Sequence, residues 1–313
     1  MFEEFLQGIR TVAIAGHVHP DADCVGSALA LFLYLQKEYP EVRATVYLEP
    51  IEDSLQILPG CEHIRHTCNA EENVDLMILV DISSLDRVGV AGDLVARAGK
   101  TLCFDNHITN NDTFTWKYNR PDASSTCEVV YGFLDAEKIS QEIAAALFTG
   151  MAHDTGIFQY SSTSPETMRI AASLMETGIP FSKLIDETYY QKSYGQNQVL
   201  ALAIQQSELL CDGRLIMSRI AKEERERYGV SARDLGEIVS ELRNTRGTEV
   251  TAFLYELEDG RWKVSLRSRE SFDVSRIAQQ FGGGGHIRAA GCDVKGTGEE
   301  ATAIIRRAIE AEL

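Results

Sequence analysis

Residues 11–39 read TVAIAGHVHPDADCVGSALALFLYLQKEY. Thr11–Ala15 is a short apolar run suited to a buried strand, and Val25–Tyr39 repeats apolar side chains at helical spacing. Between them lies a polar, turn-forming loop, Gly16-His17-Val18-His19-Pro20-Asp21-Ala22-Asp23. A fully apolar strand followed by a helix is the opening of a β–α–β crossover, and such crossovers build parallel sheets covered on both faces. The theme recurs. Strands are expected at Val42–Leu48, Val74–Val80 and Thr101–Phe104, with helices at Ser125–Leu134 and Ile139–Ala152. A further helix is expected from Ser164-Pro165-Glu166, where Ser is a cap and Pro suits the first turn, to Glu176, with Gly178 as its stop.

With 313 residues the chain exceeds one typical domain of about 100–200 residues. Residues 1–190 form the first expected domain, and 191–212 read as a helical linker. Residues 213–313 then alternate strand Leu215–Ile220, helix Ala232–Arg243, strands Glu249–Leu257 and Trp262–Arg267, helix Val274–Phe281, a glycine run, and a last helix near Glu299–Ala311. The expected class is α/β: an N-terminal domain with a mostly parallel sheet, a helical linker and a smaller C-terminal α/β domain.

Hydrophobic residues make up 44% and charged residues 25%, an ordinary globular mixture. No run of about 18 apolar residues suggests a membrane span. The opening MFEEFLQGIR lacks the basic start and long apolar core of a signal peptide, so a cytoplasmic location is expected. Seven scattered cysteines with no CxxC pair read as reduced, buried thiols. Thirty basic residues against 47 acidic ones leave a net charge of −17, which argues against long duplex DNA as a partner.

Acidic residues stand where the expected strands stop: Asp21 and Asp23 after the first, Asp81 after the third, Asp105 after the fourth. Asp154 follows in Ala152-His153-Asp154-Thr155-Gly156. The carboxyl ends of parallel strands share one edge of the sheet, where ligands bind. Five carboxylates gathered there, with His17, His19, His107 and His153 beside them, repel one another unless a cation compensates. Carboxylate and imidazole together suit Mn²⁺, with Mg²⁺, Co²⁺ and Fe²⁺ as alternatives. Two such ions bridged by one Asp would activate water and clamp a phosphoryl oxygen.

The second half carries the opposite charge locally. Residues 261–288 hold six basic side chains (Arg261, Lys263, Arg267, Arg269, Arg276, Arg288) against Glu270 and Asp273, a local +4. Within it runs Gly282-Gly283-Gly284-Gly285-His286. Bare glycine backbone approaches a ligand closely and offers N–H groups to an anion.

HVHPDADCVGS (17–27), Asp81 within VDISSLDRVG, Asp105-Asn106-His107 and HDTG (153–156) together resemble the four phosphoesterase motifs of the DHH family. GGGGH (282–286) resembles the hallmark of its DHHA1 subfamily. Size and motif order are similar to the small two-domain members, which degrade very short RNA (nanoRNA) and dephosphorylate 3′-phosphoadenosine 5′-phosphate (pAp). The resemblance implies that His17, Asp21 and Asp81 hold one metal, and Asp23, Asp81 and Asp154 a second, with Asp81 bridging. It implies that Asp105 supports the site and that His107 faces the scissile phosphate. Gly26 or Ser27, opening the first helix, suits close backbone packing beside the site. Arg267, Gly283, Gly284, Gly285 and His286 would grip the terminal nucleotide, with Arg243 and Arg246 as lesser candidates. The expected partner is short single-stranded RNA or a small nucleotide such as the dinucleotide pApA, bound in the cleft between the domains. A homodimer is in keeping with family members of this size.

One position departs from the family. Its middle signature residue is His, a ligand of the second metal, and here it is Asn106, a weaker donor. Asn106 motivates one alternative, a nucleotide-binding member without turnover; a second, within the enzyme class, is a cyclic-dinucleotide phosphodiesterase.

Overall fold

A computed structural model describes residues 2–69 and 73–313. Contacts divide the chain into two units, residues 1–191 and 192–313. No helix among the described residues is long and apolar enough to cross a membrane.

In the first unit β1 (Thr11–Ala15), β2 (Arg43–Tyr47), β3 (Ile64–Arg65), β4 (Leu76–Val80), β5 (Lys100–Asp105) and β6 (Trp116–Asn119) form one sheet. Its order is β3-β2-β1-β4-β5-β6, and every neighbouring pair is parallel. Four of these strands are legible in the sequence. β3 is too short for a pattern, and the half-buried edge strand β6 shows no apolar run.

The helices of this unit are α1 (Ala22–Glu38), α2 (Gly92–Val95), α3 (Thr126–Tyr131), α4 (Gln141–Asp154), α5 (Pro165–Glu176) and α6 (Phe181–Ile185). Val12, Ile14, Ile78, Leu102 and Phe104 join the buried faces of α1, α3, α4 and α5 in one core. Ala13, Ala15, Met77, Leu79 and Cys103 pack beneath α2 on the other side. The strands are therefore apolar on both faces, as their sequences require. α5 begins as expected: the Ser164 hydroxyl accepts from the N–H groups of Glu166 and Thr167.

α1 and α4 approach closely because glycine faces the contact from each side. A Cβ on Gly26 would stand 2.5 Å from the Ala146 carbonyl oxygen. One on Gly150 would stand 2.4 Å from Cys127 Sγ and 3.0 Å from the Asp23 Cα. This draws the start of α1, which carries Asp21 and Asp23, towards the α4 end that carries Asp154.

The second unit contains α7 (Tyr194–Gln205), β7 (Glu208–Leu210), β8 (Leu215–Ile220), α8 (Lys222–Glu226), α9 (Ile238–Arg243), β9 (Val250–Glu256), β10 (Trp262–Ser268), α10 (Val274–Gln280), β11 (Gly284–His286), β12 (Ala289–Val294) and α11 (Gly298–Glu310). Its sheet runs β11-β12-β10-β9-β8-β7, with only β8 and β9 parallel.

Three details differ from the sequence reading. The stretch read as a linker folds into this unit: β7 pairs with β8, and Val199 and Ala203 of α7 are buried with Val239 and Phe253. Gly236 separates a 3₁₀ turn, Ala232–Leu235, from α9, where one continuous helix is expected. The glycine run continues into the hairpin β11–β12, which small residues conceal from any strand pattern.

Candidate active site

β1 lies between β2 and β4, so the chain leaves β1 to one side and later returns on the other. Such a switch point opens a crevice at the carboxyl ends of the two strands. His17 stands two residues beyond β1, Asp81 directly follows β4, and Asp105 ends β5. Asp81 adopts a left-handed backbone with φ 54°, rare for a residue with a side chain, while its N–H still donates to the Phe104 carbonyl at 3.1 Å.

Asp81 is the hub. One carboxyl oxygen lies 3.3 Å from His17 Nε2. The other lies 3.6 Å from His107 Nδ1 and accepts from the Thr126 hydroxyl at 3.2 Å. His17 Nδ1 donates to its neighbour's carbonyl, that of Val18, at 2.8 Å, which leaves Nε2 facing the acids. His17 Nε2 also lies 3.7 Å from Asp21, whose carboxyl caps α1 by accepting from the N–H groups of Asp23 and Cys24. Asp23 is buried and accepts from the first N–H groups of α3, Thr126 at 2.6 Å and Cys127 at 2.9 Å.

A second chain of contacts supports His107. Its Nδ1 donates to Asp105 at 2.8 Å, and the other Asp105 oxygen accepts from Asn110 Nδ2 at 2.8 Å. Asp105 is wholly buried, whereas the His107 side chain is 32% exposed. Nε2 of His107 is thus the nitrogen left for a ligand.

Burial raises the carboxyl of Asp23, and Asp81 and Asp154 raise it further. Burial likewise raises Asp81, with Asp21 adding to it and His17 opposing it. Asp154 keeps solvent-facing surface at the end of α4, but its crowded carboxyl is pushed up to about 7, by burial first and then by Asp81 and Asp21. Asp21 is also crowded by protein, which would raise it. Its side chain stays 62% exposed, however, and His17 with two helix N–H groups holds it below the usual range. Burial would lower His17, but Asp21 and Asp81 overcome this and push it up to about 10. His107 is raised too, chiefly by Asp105.

Two imidazoles offset only part of the charge of acids that raise one another in this way, and a divalent cation is the ion they fit. His17, Cys24 and Asp81 each bring a ligand atom within 4.8 Å of the others, as do Asp81, Asp105 and His107. In the second trio Nδ1 of His107 is already committed to Asp105, so the first trio is the better donor set.

The signs give a prediction. Folded ion-free protein holds a proton on His17 between its ordinary 6.5 and about 10, where the unfolded chain does not. That contribution to stability is complete below pH 6.5 and is lost as pH rises to about 10. It is on the order of 2–4 kcal/mol after allowance for solvent at Asp21. Asp154 acts in the same direction between its ordinary 3.8 and about 7. His153, lowered to about 4 by burial, opposes it only below 6.5. Thermal unfolding of chelated protein should therefore show a midpoint that falls from pH 6.5 to 9, and divalent metal should reverse the trend because a cation replaces the proton. A flat profile without metal would contradict the electrostatics above.

A family model described as "DHH family, N-terminal domain" matches residues 11–151, and one described as "DHHA1 domain" matches residues 212–313. The chain is 31% identical over 291 residues to a Thermus thermophilus protein named "Bifunctional oligoribonuclease and PAP phosphatase NrnA", covering 91% of this chain and 84% of that one. This chain belongs to the DHH family. A Bacillus subtilis protein with the same name is 27% identical over 292 residues, covering 91% of this chain and 89% of that one. A crystal structure of an exopolyphosphatase-related protein from Bacteroides fragilis superposes with a TM-score of 0.90 at 26% identity, covering 99% of this chain and 95% of that one.

Against the DHH pattern, the structure brings His17, Asp21, Asp23, Asp81, Asp105 and His107 together. Asn106 and Asp154 join them, since the Asn106 amide lies beside the Asp154 carboxyl and opposes its rise. The Asn106 amide oxygen also accepts from the Thr126 hydroxyl at 3.2 Å. Two other histidines stand apart. His19 is 83% exposed beside Glu49, and His153 turns to Thr188 at 2.9 Å with its edge on Tyr189.

Sequence reasoning overlooked three contributors. Thr126 contacts Asp23, Asp81 and Asn106 at once, and its signal was the capping pattern Ser124-Ser125-Thr126 before an apolar run. Cys24 carried no signal of its own. Asn110 is buried, and its Nδ2 donates to Asp105 and to the Ile82 carbonyl, while its Oδ1 has no partner. An amide kept there despite an unsatisfied oxygen is held by what its nitrogen does. Asn110→Ala is expected to lower kcat/KM about 10–100-fold, the usual cost of an outer supporting partner, and metal content should stay intact. Steady-state kinetics beside metal analysis checks this.

In the second unit, Arg267 of β10 and His286 of β11 both stand opposite Ala289 of β12, in one row on one sheet face. The adjacent row on that face is Ser265, Gly291 and Gly284, a floor of small residues. Arg267 Nη1 donates to the Leu266 carbonyl at 3.0 Å. Gly283 leads into the hairpin, and Gly285 lies within it at φ 140°. Arg243 ends α9, where its carbonyl accepts from Arg269 at 2.6 Å.

Proposed function

We propose that this protein is a divalent-metal-dependent phosphoesterase that hydrolyses very short oligoribonucleotides, such as pApA, and pAp to mononucleotides. The observation that carries the reading is Asp81, which faces His17 with one oxygen and His107 with the other among acids that raise one another. The names of the Thermus and Bacillus relatives support the substrate class.

His17, Asp21 and Asp81 would hold one ion, and Asp23, Asp81 and Asp154 the other. Mn²⁺ is the preferred ion, with Mg²⁺, Co²⁺ and Fe²⁺ as alternatives. Bound ions supply Lewis acidity and a water of lowered pKa. Asp105 holds the proton on His107 Nδ1 and so directs Nε2 at a phosphate oxygen. The raised pKa keeps that ring cationic at higher pH, which favours an anionic substrate. The Arg267–Ala289–His286 row, the bare backbone of Gly283, Gly284 and Gly285, and Arg243 would take the terminal phosphate and nucleotide.

Labelled pApA, pAp and a cyclic dinucleotide, each incubated with the protein and Mn²⁺, test the proposal by chromatography of the products. AMP should form from pApA and pAp, and long duplex nucleic acid should be untouched. Retained binding with no hydrolysis of any short substrate would refute the enzyme reading. Cleavage confined to the cyclic substrate would shift the substrate class. Replacing Asn106 by His is expected to tighten Mn²⁺ binding, measured by calorimetry, because imidazole is the better donor.

A further inference from the structure

We propose that Cys24 is a metal-selectivity residue: its thiolate joins His17 and Asp81 around one ion and biases that position towards thiophilic cations. The inference rests on the metal-dependent reading above and adds a donor to it.

Three observations place the sulfur. The ligand atoms of His17, Cys24 and Asp81 all lie within 4.8 Å of one another, and His17 Nε2 lies 3.3 Å from Asp81, a grouping that a small side-chain rotation closes around one ion at Zn–S near 2.3 Å and Zn–N near 2.0–2.1 Å. The imidazole edge in that trio is set, because Nδ1 is spent on the Val18 carbonyl and Nε2 is left facing Asp81. The sulfur has a built seat: a Cβ on Gly16 would lie 2.1 Å from Cys24 Sγ, so the thiol occupies the space a side chain at 16 would fill. The capping bond from the Cys24 N–H to Asp21 ties the backbone of Cys24 to a further acid of the same cluster. Cys24 is wholly buried, so solvent does not compete for the sulfur.

Hard oxygen sites suit Mg²⁺ and Mn²⁺, while a thiolate shifts preference towards Zn²⁺, Co²⁺ and Fe²⁺. Binding converts the thiol to thiolate and releases its proton to solvent. Each of the other six cysteines lies outside this trio.

The test uses full-length protein freed of metal by chelation and titrated with Co²⁺. Wild type should show a sulfur-to-cobalt charge-transfer band in the near ultraviolet, and Cys24→Ser should lose it while retaining the visible bands of bound cobalt. Competition titrations should show Zn²⁺ affinity at least about ten-fold weaker in Cys24→Ser, the lower end of what even supporting partners contribute, with Mn²⁺ affinity nearly unchanged. Cys24→Ala repeats the test with a second side chain, and melting of the ion-free variants confirms folding. Cobalt bound without the band, or equal zinc affinity in variant and wild type, would overturn the role of Cys24 alone. If cobalt does not bind at all, the metal-dependent reading falls with it.

Discussion

Asp81→Asn is expected to lower kcat/KM on the order of 10³-fold or more while leaving the fold intact. The change keeps the size of the side chain and its acceptor for the Thr126 hydroxyl, and removes the charge that faces both His17 and His107. Losing one aligned electrostatic group in an active site costs about 10²–10³-fold, and a group shared between two ions should exceed that. Asn is preferred to Ala because φ at this position is 54°, a conformation Asn tolerates better. The charge lost raises Asp23 and Asp154 but also helps hold the proton on His17, so these effects offset each other: ion-free protein should melt close to wild type, with a shallower fall in midpoint from pH 6.5 to 9. Kinetics, metal content and thermal melting in parallel check the result. Near-normal turnover in Asp81→Asn, or in the harsher Asp81→Ala, would refute a bridging role for Asp81.

Gly283→Ala and Gly285→Ala should have the largest effect in the second unit. A Cβ on Gly283 would stand 2.1 Å from the Gly291 carbonyl oxygen and 2.7 Å from the Cys292 Cα. On Gly285 it would stand 2.5 Å from the Ala289 carbonyl oxygen, at φ 140°. Both clashes are with backbone, so the hairpin β11–β12 must shift, and a destabilisation of about 2 kcal/mol or more is expected. Because that hairpin carries His286, KM for pApA should rise about ten-fold or more with each variant. Gly284 is the internal control. A Cβ there meets nothing within 4 Å, so Gly284→Ala should leave stability close to wild type. Equal stability of all three variants by thermal melting would contradict the packing of this hairpin.

Much of this was legible in the chain itself. The apolar run Thr11–Ala15 and the helical spacing after it predict β1 and α1, because strand and helix impose different periods on buried side chains. Polar residues packed between such elements mark the strand ends where ligands bind, which is how Asp21, Asp23, Asp81 and Asp105 were found. β3, β6, β7, β11 and β12 were not legible, since they are short, half-buried or rich in small residues. Thr126 and Asn110 escaped because their roles depend on neighbours distant in sequence. Thr126 meets Asp23 from 103 positions away.

By itself the sequence determined which donors exist and at which strand ends they stand, because hydrophobic period and turn residues are local properties. Only the tertiary structure decided which oxygen of Asp81 faces His17 and which faces His107. It also decided that Asn106 is hydrogen-bonded to Thr126 and lies beside Asp154, and that the Cys24 sulfur lies beside the acids. Those outcomes hang on strand order, on the glycine contact that draws α1 against α4, and on which nitrogen of each imidazole is already hydrogen-bonded. They are matters of angstroms between residues far apart in the chain, which no local pattern encodes.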